Sequence, residues 1–486
     1  MIGSDSYVDR IRREKTSVAV RVALFFAYFH LLVAAASGFV MFRSAVVHGT
    51  FQALALQWAS THGHSLIFGW LGMVSVALTY RVLPQTKGIG FTKSDRSSIA
   101  ISCMGSGGVV HLLCLPLSVW LSPFAILHVR MTAGLLQVVG YGIFCWDLWI
   151  FVRGIPEERV ARFEKMVLLG SIWFLVGLVT EVLLWLFFEA SAIAVSLEPQ
   201  SFFILRHLEL EGGLLLMFLG LAQPIYRYPP PDTDPDGWVP PISQWTLWGI
   251  ILAVFALNVT SLGPGEVEAW VSTFAAALSL GPQTAKTAAE SMTRSIPFCI
   301  PLTVGLEVLA LAAYFAGLFR LRKTGREVNI TVPSPFSGPR LLINAWLITS
   351  HGGFFILAIG VFLHGVSPSR LGVLAMTHLF GIGFFTTLAL YLIALYRVLP
   401  FERIRWLFQT LWGTIQVGLI LFLISLSQSL PSAQMTQRSG FATGCAFVGG
   451  GALALSLAAF AIWGMTLTLP GRTDRAGDSG NMSSDG

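Results

Sequence analysis

Twelve long apolar runs follow one another along the chain and constrain its fold more than any other feature. Each is near or above the ~20 residues that a helix needs to cross the hydrocarbon core of a bilayer. Lipid offers the backbone no hydrogen-bond partner, so helices are the expected form of every run. The runs are 19–42, 51–83, 98–121, 123–152, 166–188, 202–225, 243–262, 298–320, 341–363, 371–399, 404–428 and 442–468.

The composition agrees with a membrane protein. Apolar residues make up 54% of the chain and charged residues 12%, against the ~25% charged residues of soluble domains. The five cysteines form no Cys-x-x-Cys pair, which argues against a zinc site, a disulfide framework and covalent c-type haem. The first run is too long for the core of a signal peptide, so we expect a retained span. The sequence thus predicts an all-α, polytopic membrane protein.

The basic residues predict the orientation. The N-terminal segment, the loops after even-numbered runs and the C-terminal tail hold 24 of the 31 Lys and Arg residues. The positive-inside rule then places both termini in the cytoplasm, in a membrane of the bacterial inner type. This topology explains the net charge of +6 without an acidic partner. No glycine loop suited to phosphate is present, and we expect the lipid bilayer rather than nucleic acid as partner.

The stretch 61–84 begins with Thr-His-Gly-His and ends with Tyr-Arg-Val-Leu-Pro. His62 and Tyr80 are eighteen residues apart, about five turns and about 27 Å along an α-helix. That length is close to the ~30 Å of a hydrocarbon core. One ideal helix would therefore carry the two residues on the same side, at opposite faces of the membrane.

This pattern recurs 316 residues later, where His378 corresponds to His62 and residues 396–400 to residues 80–84. A less regular third copy begins at His207. Internal repeats indicate architecture, and these fall in the second, sixth and tenth runs. We therefore expect about twelve transmembrane helices in three pseudo-repeated groups of four. The expected segments are a cytoplasmic N-terminal segment (1–18), the three groups (19–152, 166–320 and 341–469) and a disordered cytoplasmic tail (470–486).

The histidines that begin the repeated runs are candidate ligands. In the predicted topology His62, His64, His207 and His378 all lie at the outer ends of equivalent helices. Histidines buried in a membrane must be paired or bound, and a one-sided set of imidazoles indicates a haem or metal site. Separately satisfied polar residues in a helix bundle are the alternative.

Residues Thr61 to His64, with Phe68-Gly69-Trp70, Tyr80-Arg81 and Pro84, resemble the second helix of the catalytic subunit of haem–copper oxidases, subunit I, and of its small orphan relatives. The pattern of His62, His64, Gly69, Pro84 and Gly88 is also similar to the first histidine motif of NnrS, a membrane family tied to nitric oxide stress. Both families have twelve helices in three groups of four.

The resemblance implies a b-type haem held axially by histidines of the second and tenth helices. That role falls on His62 or His64 and on His378. We prefer His62, because it shares register with His378 and precedes a glycine. His64 lies about 200° further round an ideal helix.

The seventh run departs from the oxidases, because residues 243–262 contain no histidine where their copper-binding pair would lie. His207 matches the sixth-helix copper ligand, and His351 is a further candidate metal ligand. Copper is therefore a second expected metal, but a complete haem–copper centre is not expected.

Further polar residues are candidates for supporting roles. Glu211, one turn after His207, would orient that imidazole, join it in a metal site or simply lie at a solvated helix start. Arg130 would pair with haem propionates or with a buried glutamate. Glu181 and Glu307 lie inside apolar runs, where a charge is costly, and would form a proton path or pair with Arg130. Asp147 is expected at the interface.

Three functional hypotheses follow. The first is a haem-dependent oxidoreductase or electron-transfer protein that reduces O2 or NO with electrons from a donor protein or accessory subunit. The second is an NnrS-like haem or copper protein that acts in nitric oxide stress without oxidase turnover. The third is a proton-coupled transporter, although midplane sites are typical of transporters and these histidines lie near one surface.

Overall fold

The structure is a computed structural model, and it describes only part of the chain. The described residues are 7–48, 56–87, 90–91, 94–117, 120–155, 162–190, 208–226, 345–349, 377–396, 405–427 and 440–469, with a few positions between 281 and 291. Several predicted features lie outside these residues, namely His207, His351, Glu307, the seventh and eighth runs and the C-terminal tail.

The chain divides into two compact units. The first contains Met1–Pro156 and Thr386–Gly486, and the second contains Glu157–Phe385. The helices of the first unit are α1 (Tyr7–His48), α2 (Leu56–His64), π1 (Ser65–Gly72), α3 (Met73–Lys87), α4 (Ser94–Leu117), α5 (Pro123–Gly154), α8 (Thr387–Leu395), α9 (Arg405–Ser427) and α10 (Gly440–Thr468). The second unit holds α6 (Arg162–Ala190), π2 (Leu208–Leu215), α7 (Leu216–Tyr226) and all but the last residue of π3 (Leu379–Thr386).

The prediction of an all-α fold is confirmed for the described residues. Seven helices there are long and apolar enough to cross a membrane, and each coincides with a predicted run. They are Val18–Arg43, Thr61–Pro84, Asp95–Leu117, Phe124–Gly154, Phe163–Leu183, Trp406–Ile424 and Phe447–Thr468. Two shorter apolar helices fall in the sixth and tenth runs. The count of twelve helices and their grouping in three repeats stay predictions.

Local sequence explains how α5 begins. Ser122 is extended, and its hydroxyl oxygen accepts a hydrogen bond from the backbone N–H of Ala125 at 3.3 Å. Pro123 occupies the first helical position. Proline has no backbone N–H, but the N–H groups at a helix start have no partner within the helix, so no hydrogen bond is lost. The preceding turn is closed by bonds from Trp120 and Leu121 to the carbonyl of Leu117. The short connection makes α4 and α5 antiparallel neighbours, and they pack along their length.

The continuous rod formed by α2, π1 and α3 is the most buried candidate span. The structure buries 89% of the most apolar window of Thr61–Pro84, against 33–56% for the other six spans. Within the first unit, α1 packs against π1 and α3, and α4 packs against α2 and π1. The remaining spans keep apolar exposed faces suited to lipid. We call the end of this rod that carries His62 the histidine end, and the other the tyrosine end.

Each repeated stretch contains an eight-residue π-helix. The three π-helices begin directly after His64, His207 and His378. Such helices are rare, are mostly single turns and are frequent at functional sites. In the alignment that pairs His62 with His207 and His378, π1 begins two residues later than π2 and π3, so the three similar sequences adopt related local structures in slightly different register.

The π-helix changes the expected register of His62 and Tyr80. A π-turn holds more residues than an α-turn, so the spacing argument for an ideal helix does not apply across π1. In the structure, His62 contacts Ala34 of α1, whereas Tyr80 contacts Asp147 of α5. The expectation that both residues share one side of the helix is therefore wrong.

Glycines allow several helices to approach closely. A Cβ added at Gly449 of α10 would lie 2.6 Å from the backbone nitrogen of Phe422 in α9. One added at Gly107 of α4 would lie 2.6 Å from the carbonyl oxygen of Ala133 in α5. Small residues have this role in membrane helix pairs generally.

Substitution of Gly449 by Ala should therefore force α9 and α10 apart. We expect it to destabilise the protein by about 1–3 kcal/mol, measured as a lower midpoint of thermal unfolding in detergent. Gly451→Ala is the matched control, because a Cβ there meets nothing within 4 Å. Equal midpoints for the two variants would contradict this account of the packing.

Candidate functional site

The described candidate residues are divided between the two units. His62, His64 and Arg130 lie in the first unit, and Glu181, Glu211 and His378 lie in the second. Each unit is therefore considered by itself, and the pairing of His62 with His378 stays a prediction. His378 is half-buried and directly precedes π3. Only the backbone of Glu211 is described, and it lies in π2.

His62 is held by the backbone of α1. Its Nδ1 lies 2.8 Å from the carbonyl oxygen of Ala34. A carbonyl oxygen only accepts, so Nδ1 carries the hydrogen and the lone pair of the neutral ring is on Nε2. A Cβ placed on Gly38 of α1 would lie 3.0 Å from Nδ1 but 3.8 Å from Nε2. The nitrogen that carries the lone pair is thus the one farther from Gly38.

His64 faces the other side of the helix, as the sequence predicts. It is only 1% exposed, and its Nε2 lies 3.0 Å from the amide nitrogen of Gln137 in α5. Its ring stacks on that of His111 in α4, with centroids 3.6 Å apart and planes within 3°. The Nε2 nitrogen of His64 is therefore occupied by a side-chain amide.

His30 of α1 belongs to the same buried layer. Its ring fills the space left by two glycines, Gly69 of π1 and Gly108 of α4. It interacts electrostatically with His64. His30, His64, His111 and Gln137 are each at most 3% exposed, and we call them the imidazole cluster.

The sequence did not predict this cluster, although it shows His30 and His111 inside apolar runs. The available signal was that a histidine within a span is costly and needs a partner. The choice of partner depends on how the four helices α1, α2, α4 and α5 are rotated about their axes, and α2 continues directly into π1. Spacing along any single run does not reveal that rotation.

No group of three His, Cys, Asp or Glu side chains in the described part of the chain is arranged to hold a metal ion. The parallel rings of His64 and His111 stack by their faces, so their nitrogens do not converge on one point. His207 and His351, the other candidate metal ligands, lie outside the described residues. Copper binding stays a prediction.

Arg130 is buried at 8% exposure and lies beside the Cys114 thiol of α4. Its predicted pairing with a propionate or a glutamate stays a prediction.

Glu181 is buried in α6, as its apolar run predicts. Glu209 is fully buried in π2, and its side chain packs against Gly177 of α6. Sequence reasoning singled out Glu211 and missed Glu209.

A polar contact joins three helices at the tyrosine end. The hydroxyl of Tyr80 donates to Oδ2 of Asp147 at 3.3 Å, and the Arg96 guanidinium lies 3.6 Å from Oδ1. Asp147 is 5% exposed, and its expected place at the membrane interface stays a prediction. A carboxylate can be buried there because a hydroxyl and a guanidinium replace the water it loses.

The comparisons with known proteins identify no family. No protein-family model matches the chain, and no curated protein sequence is significantly similar to it.

The contact between Tyr80 and Asp147 predicts a measurable coupling. In a double-mutant cycle of Tyr80→Phe and Asp147→Asn, we expect a coupling of about 0.5–1.5 kcal/mol, the usual contribution of one hydrogen bond. The measurement is the free energy of unfolding in mixed micelles. Effects that add within about 0.3–0.5 kcal/mol would show that the two side chains act independently. Arg96 is 31% exposed and should contribute less, because solvent screens it.

Proposed function

We propose that the protein is a haem-binding integral membrane protein of the haem–copper oxidase type, similar to subunit I. One b-type haem is held between His62 and His378, and the protein acts in electron transfer or in the reduction of O2 or NO. A haem held by both imidazoles would supply one-electron transfer, and O2 or NO would be reduced at a separate centre that receives these electrons. The proposal rests on the repeated histidine motif and on the geometry of His62.

The observation that carries the proposal is the hydrogen bond from Nδ1 of His62 to the Ala34 carbonyl. Histidines that bind metals almost always donate their other ring N–H to a carbonyl, carboxylate or water, which fixes the tautomer and the ring orientation. His62 has this arrangement at the start of the most buried span. His62 therefore fits the role of an axial haem ligand that binds through Nε2.

The same argument separates His62 from His64. The Gln137 amide engages Nε2 of His64 whichever way the amide is turned. Haem ligation by His64 would break this contact and the stack on His111, leaving buried polar groups to be satisfied again. Haem ligation through Nε2 of His62 would leave its hydrogen bond from Nδ1 to Ala34 intact. Of the two candidates left open by the sequence, His62 is the proposed ligand.

Other residues of the chain support this function. Arg130 would neutralise a haem propionate, because a guanidinium is always charged and its fork geometry matches a carboxylate. The distribution of Lys and Arg supports a bacterial-type inner membrane with both termini in the cytoplasm. The histidine end of α2 would then lie on the outer side, where an electron-donor protein or an accessory subunit would dock.

The second candidate is an NnrS-like function without oxidase turnover. The sequence of the seventh run favours it, because residues 243–262 offer no histidine for a copper site. With an electron donor and a mediator, an oxidase would consume O2 continuously. An NnrS-like protein would bind haem or copper and protect against nitric oxide without consuming O2. An oxygen electrode distinguishes the two candidates.

Matched substitutions test the haem ligand. Protein from haem-replete cells should contain about one haem per chain, and His62→Gln should reduce haem affinity by at least about tenfold, since its ligand atom is lost. His64→Gln should retain the haem. The readout is the haem-to-protein ratio from the pyridine haemochrome assay, with size-exclusion elution as the control for folding.

Two outcomes of that test would count against the proposal. Colourless wild-type protein would exclude the haem function altogether. Haem loss in His64→Gln with retention in His62→Gln would show that the ligand has been assigned to the wrong histidine.

A further inference from the structure

The carbonyl oxygen that receives His62 also receives a second hydrogen bond. The hydroxyl of Ser37 lies 2.7 Å from the carbonyl oxygen of Val33 and 3.2 Å from that of Ala34. Ser37 is only 2% exposed. The single hydroxyl hydrogen is divided between these two carbonyls, and its longer branch reaches the Ala34 oxygen that Nδ1 of His62 approaches at 2.8 Å.

The His62 ring lies directly against Gly38 of α1, where there is no space for a side chain. A Cβ at this position would approach Cε1 of His62 to 2.8 Å and Nδ1 to 3.0 Å. Distances below 3.0 Å are essentially never seen for real Cβ atoms. Any side chain at Gly38 would thus rotate the imidazole or push α1 away from α2.

We propose that Ala34, Ser37 and Gly38, which we call the α1 seat, are positioning residues that set the tautomer and ring orientation of His62 and thereby tune the haem. This inference rests on the proposed function and adds to it the residues that control the ligand. None of the three touches the iron. They act through Nδ1 and through the direction in which Nε2 points.

The direction of the tuning follows from the hydrogen bonds. A stronger bond from Nδ1–H to its acceptor makes the imidazole more basic. A more basic ligand stabilises ferric over ferrous iron and lowers the midpoint potential. The Ser37 hydroxyl competes for the Ala34 oxygen, so its removal should strengthen the His62 bond and lower the potential. Gly38 acts differently, because a methyl group there moves the ring itself.

The test compares three variants of the full-length protein. Gly38→Ala should weaken haem binding about tenfold or more and change the g-values of the low-spin EPR signal. Ser37→Ala removes only a hydroxyl and should retain the haem, while its ferric-to-ferrous ratio at a fixed potential should rise about twofold or more. Gly63→Ala is the control. It adds a methyl group directly beside His62 in sequence, but its Cβ meets nothing within 4 Å.

A measurement without haem tests the seat separately. In haem-free protein in bilayers, ¹⁵N solid-state NMR should show His62, assigned by its loss in His62→Gln, with hydrogen on Nδ1 and none on Nε2. Gly38→Ala should change that signal, and Gly63→Ala should not.

The outcomes separate this inference from the proposed function. Haem with wild-type g-values and wild-type affinity in Gly38→Ala would overturn the positioning role while leaving haem binding intact. An unchanged or higher midpoint potential in Ser37→Ala would also overturn it. If the wild-type protein lacked haem, the proposed function would fail, and the NMR signal would still decide whether α1 fixes His62.

Discussion

A polar group inside a membrane must find its partner within the protein, and this constraint accounts for much of what the described residues show. It makes the apolar runs helical, because each helix satisfies its own backbone. It also governs the side chains. Nδ1 of His62 uses a backbone carbonyl of α1, His64 uses the amide of Gln137, and Asp147 uses a tyrosine hydroxyl and an arginine. These contacts cross between helices and so also fix how the helices are rotated.

The two histidines of α2 show how the constraint separates roles. His64 is enclosed by a stacked ring and an amide at 1% exposure. Its contacts are those of a packing residue in a polar layer. His62 is half-buried, with one nitrogen bonded to a backbone oxygen that cannot donate. Such a bond holds the ring and leaves the lone pair of the neutral imidazole on Nε2, the nitrogen through which an axial ligand would bind.

The rod of α2, π1 and α3 connects this site with the tyrosine end. Trp70 lies near its middle, and its indole N–H donates to the hydroxyl of Thr386 at 3.2 Å. The two residues are 316 positions apart, the offset that relates His62 to His378. Two residues related by this offset are therefore in contact within the first unit.

Much of the fold could be predicted from the sequence, because burial in lipid depends on the composition of long runs. The run 19–42 became the span Val18–Arg43, and 404–428 contains Trp406–Ile424. The rotation of each helix could not be predicted, since π1 alters the register between His62 and Tyr80 and no sequence rule gave its place. For the same reason the neighbours His111 and Gln137 of His64, and the burial of Asp147, were missed. The prediction that His62 and His64 lie on different sides of the helix is confirmed, because no π-turn separates them.

The EPR spectrum of the oxidised wild-type protein, purified from haem-replete cells, tests the central claim most directly. The account predicts a low-spin ferric signal typical of two imidazole ligands, one of which binds through Nε2 of His62. A high-spin signal alone, or iron-free protein without any haem signal, would contradict it.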